Sequence, residues 1–339
     1  MNESSAILEF YRSASREGTP VALATVVRVD GSSYRRPGAK MLIARDGRIN
    51  GSVSGGCLER DLIRRAVLAL DQNQSSLIRY DTRADADDDE AEALVKSAGL
   101  GCEGVIEIFL DPNPALHLSA IERVIRSDVG EDFYVDVPNQ APFIDRIEPP
   151  HRLILFGAGH DAVSMWRLAR ELGWLTTVVD LRSSFPVPKS LFSGVDRYLV
   201  PDLVEAVEKA QVGPHSLVIL MTHQFEHDRA LLSALSENPP LYVGMLGPRV
   251  RSEKILNSLR GQGNGVAFPN LHSPLGLDIG GDTPAAVALS ALAEIQAVLS
   301  HRSAGFLSAR KVPIHSPEGG PGEKDEVSTS RLTLGGVER

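Results

Sequence analysis

The fold of this chain is decided by one stretch, Arg152-Leu153-Ile154-Leu155-Phe156-Gly157-Ala158-Gly159-His160-Asp161-Ala162. The apolar run 153–156 is typical of a strand that is buried on both faces of a parallel sheet. A glycine turn follows, and residues 163–172 have the periodicity of an amphipathic helix. The next apolar run, 175–179, ends at Asp180. These features predict a strand, turn, helix and strand unit of the dinucleotide-binding type.

The glycine turn matches the spacing G-x-G-x-x-G/A, with Gly157, Gly159 and Ala162 in the three positions. In such units a pyrophosphate lies at the helix N-terminus, where His160 can contact a ligand. An acidic residue at the end of the second strand suits a ribose hydroxyl, so Asp180 favours NAD over NADP. The candidate nucleotide-binding residues are therefore Gly157, Gly159, His160 and Asp180.

The remaining part of this half alternates between strand and helix patterns. Strands are expected at residues 195–200, 216–221 and 241–246, and helices at 202–210, 226–235, 248–259 and 283–299. This alternation predicts an α/β doubly wound parallel sheet of the Rossmann-like kind. Because such scaffolds carry many chemistries, the fold alone does not decide the function.

A second glycine-rich stretch, Gly51-Ser52-Val53-Ser54-Gly55-Gly56-Cys57-Leu58-Glu59, lies earlier in the chain. Strands at 40–45 and 49–53 are expected to pair across a turn at Asp46-Gly47, and a helix is expected to begin near Leu58. A helix N-terminus favours a thiolate or a bound anion, and Gly55 and Gly56 let a backbone approach a ligand closely. The alternative is a turn in which Cys57 is a small buried hydrophobe. The local pattern leaves both interpretations open.

The composition narrows the class of protein. The chain has 339 residues, 42% of them hydrophobic, and a net charge of −9, which indicates about two globular domains and disfavours nucleic-acid binding. We expect no membrane span and no signal peptide, since no apolar run is long enough and the first residues lack a basic start. Two cysteines do not make a disulfide framework. We therefore expect a cytoplasmic protein.

Compositional breaks predict four segments: a first domain at 1–135, a linker at 136–150, a Rossmann-like domain at 151–305 and a disordered tail at 306–339. The linker is suggested by its prolines, and the tail by its content of Gly, Pro, Ser and charge. The acidic run at residues 85–92 is expected to be an exposed loop or the front of a short helix inside the first domain, in preference to a metal site.

A dehydrogenase needs a proton donor or acceptor beside its substrate. The candidates are His160, His223 and His227, with Asp228 nearby. His223 is expected at a strand end and His227 inside the next helix, so we favour turn and capping roles over a metal pair.

Several motifs together carry a family resemblance. Residues 22–41 and 51–59 closely resemble the N-terminal module of the xanthine dehydrogenase accessory factor (XdhC/CoxI) family, and residues 99–104 resemble its second cysteine motif. Four further segments resemble its C-terminal Rossmann module, in the same order: residues 156–160, Thr222-His223 with Asp228, 243–247 and 272–277.

The resemblance implies an N-terminal mixed α+β module followed by the Rossmann-like domain, and a chaperone more than an oxidoreductase. Members of the family bind molybdenum cofactor as cargo and protect it while a cysteine desulfurase helps to install its terminal sulfur. They then deliver it to a molybdenum hydroxylase of the xanthine dehydrogenase type. The family is also compatible with a homodimer.

The resemblance also implies a site. Cys57 and Cys102 would supply thiolates that hold the molybdenum or relay sulfur, beside the backbone of Gly55 and Gly56. Arg35 and Arg36 would contact the pterin phosphate. Each assignment has an alternative interpretation. The arginines can simply be exposed to solvent, and Cys102 can pack beneath the sheet.

Two departures from the family pattern stand out. Residues 91–98 lengthen the connection before Gly99, and Gly280-Gly281-Asp282 replaces a stretch that commonly carries a basic residue. The alternative function is an NAD-dependent oxidoreductase acting on a small substrate, which is supported by Gly157, Gly159 and Asp180.

Overall fold

The computed structural model describes residues 3–31, 34–56, 58–81, 104–181, 187–261 and 270–309. Its contacts divide the chain into two units. The first comprises Met1–Arg152 with Arg170–Leu175, and the second comprises Leu153–Ala169 with Thr176–Arg339. Cys57, Cys102, the acidic run at 85–92 and the tail from residue 310 lie outside the described residues.

The first unit contains an antiparallel sheet of order β3-β2-β1-β5-β4 and a separate hairpin of β6 and β7. The strands are β1 (Val21–Gly31), β2 (Lys40–Ala44), β3 (Ile49–Gly51), β4 (Ser76–Asp81), β5 (Gly104–Asp111), β6 (Glu131–Val135) and β7 (Phe143–Ile147). The helices are α1 (Glu3–Arg16), α2 (Glu59–Gln72) and α3 (Ala115–Ser127).

This sheet is covered on both faces, because successive residues of β1 point to opposite sides. Ala22, Ala24 and Val26 share a core with Leu62 and Ala66 of α2. On the other face, Leu23 packs in a core with residues of α1 and α3, among them Ile7, Leu8, Leu118 and Ile121.

The predicted hairpin and helix around the second glycine-rich stretch are confirmed. Gly47 has a φ of +89° in the turn, and Ala44 donates a backbone hydrogen bond to Arg48. The return strand is shorter than the predicted range 49–53 and ends at Gly51. A Cβ at Gly51 would collide with the carbonyl oxygen of Lys40, and its φ of +85° turns the chain out of the ladder.

Residues 136–150, where we expect a linker, include strand β7. The prolines at positions 138, 142, 149 and 150 flank this strand and do not interrupt it. Asp145 and Ile147 are buried, and they alternate with the exposed Ile144 and Arg146. This alternation places one face of the β6–β7 hairpin against the unit's interior.

The second unit is a six-stranded sheet of order β10-β9-β8-β11-β12-β13. The strands are β8 (Arg152–Phe156), β9 (Leu175–Val179), β10 (Arg197–Leu199), β11 (Ser216–Leu220), β12 (Tyr242–Met245) and β13 (Leu271–His272). The pairs β9–β10, β11–β12 and β12–β13 are parallel. Counted from β8, this is the strand order 3-2-1-4-5-6 of the Rossmann fold.

The helices of this unit are α4 (His160–Glu171), α5 (Ala206–Ala210), α6 (Phe225–Leu235), α7 (Arg249–Gly261) and α8 (Pro284–Leu299). Short 3-10 turns occur at Lys189–Phe192, Leu203–Glu205 and Leu307–Ala309. One sheet face packs Ile154, Val218 and Val243 against residues of α5, α6 and α7. The alternating residues Leu153 and Leu155 are also buried, so both faces of the sheet are covered.

The predicted α/β class and Rossmann-like sheet are confirmed. The expected strands and helices are present, with ends that shift by a few residues. Strand β13 was not predicted, because it has two residues and pairs only through Val243–Leu271 and Gly244–His272. Within the ranges that the structure describes, none of the helices has the length and apolarity needed to cross a bilayer.

Candidate functional site

The second unit has a cleft where the strand order reverses, between β8 and β11. In open parallel sheets, ligands bind at such a switch point, outside the carboxyl ends of the strands. The turn after β8 and the loop after β11 enclose a cavity of about 40 Å³ here. We call it the cleft cavity; it is lined by Gly157, Ala158, Gly159, Leu181, Met221, Thr222, His223, Gln224 and His227.

The two predicted glycines of this cleft differ in their surroundings. Gly157 has a φ of +135°, and a Cβ there would collide with the backbone carbonyl of Met221. A glycine is therefore required at position 157, because the turn after β8 packs against the end of β11. At Gly159 an added Cβ would meet no atom of the described residues within 4 Å, so these residues leave its backbone open to a ligand. His160, the first residue of α4, follows directly.

Asp180 lies just after β9, as predicted, but its carboxylate already has a partner. The hydroxyl of Tyr198 on β10 donates to its Oδ2 at 2.7 Å, and the Asp180 backbone N–H donates to the carbonyl of Leu199. Asp180 therefore joins the ends of β9 and β10. A ribose hydroxyl would have to share this carboxylate with Tyr198.

The histidines after β11 lie where the sequence places them. His223 is in the loop, has a φ of +60°, and its Nε2 is 4.0 Å from Oδ2 of Asp161. His227 is in α6, and within the described part of the chain its buried Nδ1 has no hydrogen-bond partner. Among the described residues there is no group of three side chains that could hold a metal ion.

Asp228 connects the loop after β11 with helix α7. This carboxylate is fully buried, and its Oδ1 accepts a hydrogen bond from Thr222 Oγ1 at 2.6 Å. Its Oδ2 accepts a hydrogen bond from Nη2 of Arg251, also at 2.6 Å. The sequence marked Thr222 and Asp228 as a motif but missed Arg251, which is 23 residues away in the chain.

The motif segment 272–277 is held by the carboxylate of Glu294 on α8. Glu294 accepts hydrogen bonds from the Tyr242 hydroxyl and the Gly276 backbone N–H, and its Oε1 is 3.0 Å from Nδ1 of His272. Burial raises the pKa of Glu294, but the hydrogen bonds from His272 and Tyr242 outweigh it and leave the pKa below its usual range. This segment is therefore fixed by an ionised carboxylate.

In the first unit, the side chain of Ser54 fixes the glycine loop, residues 51–56, which precedes α2. Its Oγ accepts from the backbone N–H groups of Gly56 and Leu58, at 3.2 and 3.3 Å, and donates to Oε2 of Glu59. Gly56 has a φ of +105°, and a Cβ there would meet no atom of the described residues within 4 Å. The loop is thus a fixed turn that the described residues leave uncovered at Gly56.

Glu59 is a residue whose role sequence reasoning missed. Its Oε1 accepts from the Ser54 backbone N–H and from the Ser52 hydroxyl, each at 3.2 Å. Glu59 is the first residue of α2, where a carboxylate also interacts favourably with the helix dipole. An acidic residue in the first turn of a predicted helix is the sequence signal that could have pointed to Glu59.

The structure brings the glycine loop together with the arginine loop, residues 34–40. A Cβ on Gly55 would stand 3.9 Å from Cγ of Tyr34, which lies next to Arg35 in the chain. The Arg35 guanidinium donates to Oε1 of Glu3 on α1, and Arg36 is exposed. Two of the predicted segments are thus neighbours in space.

A buried ionic cluster fixes the end of the arginine loop. Oδ2 of Asp145 lies 2.7 Å from Nζ of Lys40 and 2.6 Å from Nε2 of His117. The Lys40 ammonium also donates to the carbonyl of Gly38 at 2.9 Å. Burial raises the pKa of Asp145, but the hydrogen bond from His117 and the charge of Lys40 together hold the pKa below its usual range.

The chain is thus an α/β protein of two parts. The first is a mixed α+β module with a fixed glycine loop, and the second is a Rossmann unit with a cleft at its switch point. Comparison with known families identifies both parts. Residues 14–81 match the XdhC and CoxI family, and residues 153–295 match the XdhC Rossmann domain. The chain belongs to the XdhC and CoxI family, as its motifs predict.

Relatives extend this similarity over most of the chain. A probable xanthine dehydrogenase subunit from Bacillus subtilis (strain 168) is 31% identical, over 80% of this chain and 91% of its own length. The molybdenum cofactor insertion chaperone PaoD from Escherichia coli (strain K12) is 26% identical, over 87% of this chain and 89% of its own length. A crystal structure of a xanthine dehydrogenase from Bacillus halodurans is similar with a TM-score of 0.74 and 25% identity, covering 90% of this chain and 98% of that one.

Proposed function

We propose that this protein acts in the maturation of a xanthine dehydrogenase-type molybdenum hydroxylase, as a factor that binds molybdenum cofactor and inserts it. The likeness to a molybdenum cofactor insertion chaperone over 87% of the chain supports this role. In the finer form of the proposal, the protein protects the cofactor while a cysteine desulfurase installs its sulfur, and then delivers it to the hydroxylase.

The observation that carries the proposal is the juxtaposition of the glycine loop and the arginine loop in the first unit. A Cβ at Gly55 would lie 3.9 Å from Cγ of Tyr34, so a cation-bearing segment lies beside a fixed turn that the described residues leave uncovered at Gly56. A cofactor that combines a metal, a pterin and a phosphate requires this combination of close backbone approach and positive charge.

Within this proposal, Cys57 and Cys102 supply thiolates to the molybdenum or relay its sulfur. Cys57 follows Gly56 directly in the chain, so the turn fixed by Ser54 leads into it. Thiolates are the soft ligands that a sulfur-rich metal centre favours.

Arg35 and Arg36 are proposed to bind the pterin phosphate. The ion pair of Arg35 with Glu3 is partly exposed, and such pairs contribute only about 0–1 kcal/mol. A phosphate offers an arginine a bidentate, charge-assisted partner and can therefore replace the Glu3 carboxylate.

Anaerobic titration of molybdenum cofactor into the full-length protein tests the proposal. We expect the wild type to bind the cofactor and to activate an apo-hydroxylase, and Cys57→Ala and Arg35→Ala to bind it at least about tenfold more weakly, which is a loss of about 1.4 kcal/mol. Arg45→Ala is the matched control, because Arg45 is an exposed arginine of the same unit, paired with Asp71. Unchanged cofactor binding and activation in both test variants would contradict the proposed site.

An NAD-dependent oxidoreductase is the alternative function. The strand order and the open backbone at Gly159 favour it, whereas the Tyr198 hydrogen bond occupies part of the proposed ribose ligand Asp180. Calorimetry with NAD distinguishes the two functions: tight NAD binding without cofactor binding would favour the oxidoreductase. Homodimer formation and a cytoplasmic location stay predictions.

A further inference from the structure

A second, larger cavity lies beside the cleft cavity in the second unit. Its volume is about 410 Å³, and we call it the basic cavity; it is lined by His223, Phe225, Pro248, Val250, Arg251 and Lys254. His223 lines both cavities, so the two adjoin at the loop after β11. None of the predicted nucleotide-binding residues lines the basic cavity.

The side chains of the basic cavity carry positive charge that is not fully neutralised. Lys254 is exposed, and in the part of the chain that the structure describes no carboxylate lies within ion-pairing distance of its ammonium. None of the described residues that line the cavity is an acid. Arg251 is bonded to the buried Asp228, which neutralises its charge and leaves the charge of Lys254 in excess.

The position of the cavity in the fold adds to this charge. It lies at the N-terminus of α7, a 13-residue helix that begins at Arg249. The first turn of a helix presents unpaired backbone N–H groups and the positive end of the dipole. A cavity lined by arginine and lysine at such a helix end is suited to a phosphate group.

The same charge disfavours NAD in this place. In a Rossmann fold the half of the sheet that carries the acidic ribose ligand binds the adenosine, so the nicotinamide would lie over β11 and β12. The oxidised nicotinamide ring is a cation, and Arg251 and Lys254 line the cavity at this end of the sheet. Like charges repel in a partly desolvated cavity.

We propose that the basic cavity binds the phosphate of a phosphate monoester, with Lys254 and Arg251 as its cationic ligands and His223 at its rim. A nucleotide and a phosphorylated pterin share this chemistry. The proposal concerns the second unit alone. A nucleotide in the basic cavity leaves the cofactor site proposed in the first unit unchanged, whereas a pterin phosphate bound there would replace the role proposed for Arg35 and Arg36.

Asp228 is a positioning residue in this proposal. It holds the Arg251 guanidinium at the cavity and, through Thr222, the loop that carries His223. The φ of +60° at His223 is uncommon for a residue with a side chain, so the loop must be held by its surroundings.

The test is calorimetric titration of the full-length protein with inorganic phosphate, AMP, NAD and molybdenum cofactor, at low and at high salt. We expect phosphate and AMP to bind, with affinities that fall as salt is added. Lys254→Ala should weaken AMP binding about tenfold and Lys254→Glu more strongly, since each removes a charge-assisted bond. Lys209→Ala is the matched control, because Lys209 is a surface lysine of the same unit, paired with Glu205.

The outcomes separate the possible ligands. If the Lys254 variants weaken AMP binding but not cofactor binding, the cavity is a nucleotide site. If they weaken cofactor binding, the cavity binds the pterin phosphate. Absence of phosphate and AMP binding, or binding that both Lys254 variants leave unchanged, would overturn the proposal. NAD binding that is tighter than AMP binding and insensitive to Lys254 would also overturn it. Failure of the first-unit cofactor site would instead appear as unchanged cofactor binding in Cys57→Ala and Arg35→Ala.

Discussion

The ammonium group of Lys40 lies 2.7 Å from Oδ2 of Asp145, and the Asp145 side chain is only 2% exposed. Lys40 is the first residue of β2, and Asp145 is the central residue of β7, so this ion pair joins the sheet to the separate hairpin. The Lys40 ammonium also holds the carbonyl of Gly38. These contacts therefore hold the end of the arginine loop, at Lys40, in place.

Replacement of Asp145 by Asn should strongly destabilise the protein. It leaves the buried ammonium of Lys40 without a charge partner, and breaking a buried pair in this way costs about 3–5 kcal/mol. Urea denaturation at neutral pH measures the loss in free energy of unfolding. Asp132→Asn is the control, because the exposed pair of Asp132 with Arg146 should contribute less than about 1 kcal/mol.

The contribution of Asp145 should also depend on pH in a defined direction. Its pKa is lower in the folded protein than in the unfolded chain, so the unfolded state binds more protons as the pH falls. The stabilisation is complete above the unfolded pKa of about 3.9 and disappears as the pH falls through the folded pKa. The stability difference between wild type and Asp145→Asn should therefore shrink below about pH 4, and a difference that grows there would contradict this assignment.

The two glycines of the cleft should respond differently to alanine. Gly157→Ala should lower the free energy of unfolding by about 1–3 kcal/mol, because its Cβ collides with the Met221 carbonyl at a positive φ. Gly159→Ala should change stability by less than about 1 kcal/mol. If Gly159 contacts a ligand, its alanine variant should lose ligand affinity while keeping the wild-type melting temperature. Equal destabilisation by both substitutions would contradict the distinction.

Asp228→Asn should destabilise the second unit by about 3 kcal/mol or more, since it removes the charge partner of Arg251 in a buried setting. Thermal unfolding followed by circular dichroism measures the effect. Glu226→Gln, on the same helix, alters the exposed pair with Arg229 and should have little effect. A loss no larger than that of Glu226→Gln would show that Asp228 does not hold the loop and α7 together.

Ser54→Ala should loosen the glycine loop. It removes hydrogen bonds to Gly56, Leu58 and Glu59 just before α2, and a hydrogen bond of this kind contributes about 1 kcal/mol. Hydrogen exchange should become faster at the first turn of α2, and cofactor binding should weaken. Ser13→Ala, which removes a surface hydrogen bond to Glu17, is the control and should alter neither.

The sequence predicts most of the second unit because a buried parallel sheet requires continuous apolar runs, such as 153–156 and 217–220. The β6–β7 hairpin is harder to predict, because its prolines lie at its ends and resemble those of a linker. The buried polar pairs are harder still. Asp145 with His117, and Asp228 with Arg251, are 28 and 23 residues apart, and no local periodicity links such partners.

In the candidate sites, too, some features follow from the local sequence and others do not. The glycine loop and the cleft follow from local motifs, whereas their supports, Ser54 with Glu59 and Thr222 with Asp228, depend on side-chain geometry. The basic cavity was not predicted, because Lys254 and His223 are brought together only by the parallel pairing of β11 and β12. Long-range pairing of this kind is a property of the assembled sheet.

The contact between Gly157 and the Met221 carbonyl bears on how glycine fingerprints are interpreted. The first glycine of the motif, Gly157, is required because a Cβ there would collide with the Met221 carbonyl. We therefore expect this glycine to be kept even in a relative that binds no nucleotide. The second glycine, Gly159, has no such steric requirement from the described residues. In relatives that no longer bind a ligand in this cleft, we therefore expect the glycine at position 159 to be replaced first. The glycine at position 157 should be kept, because the fold requires it.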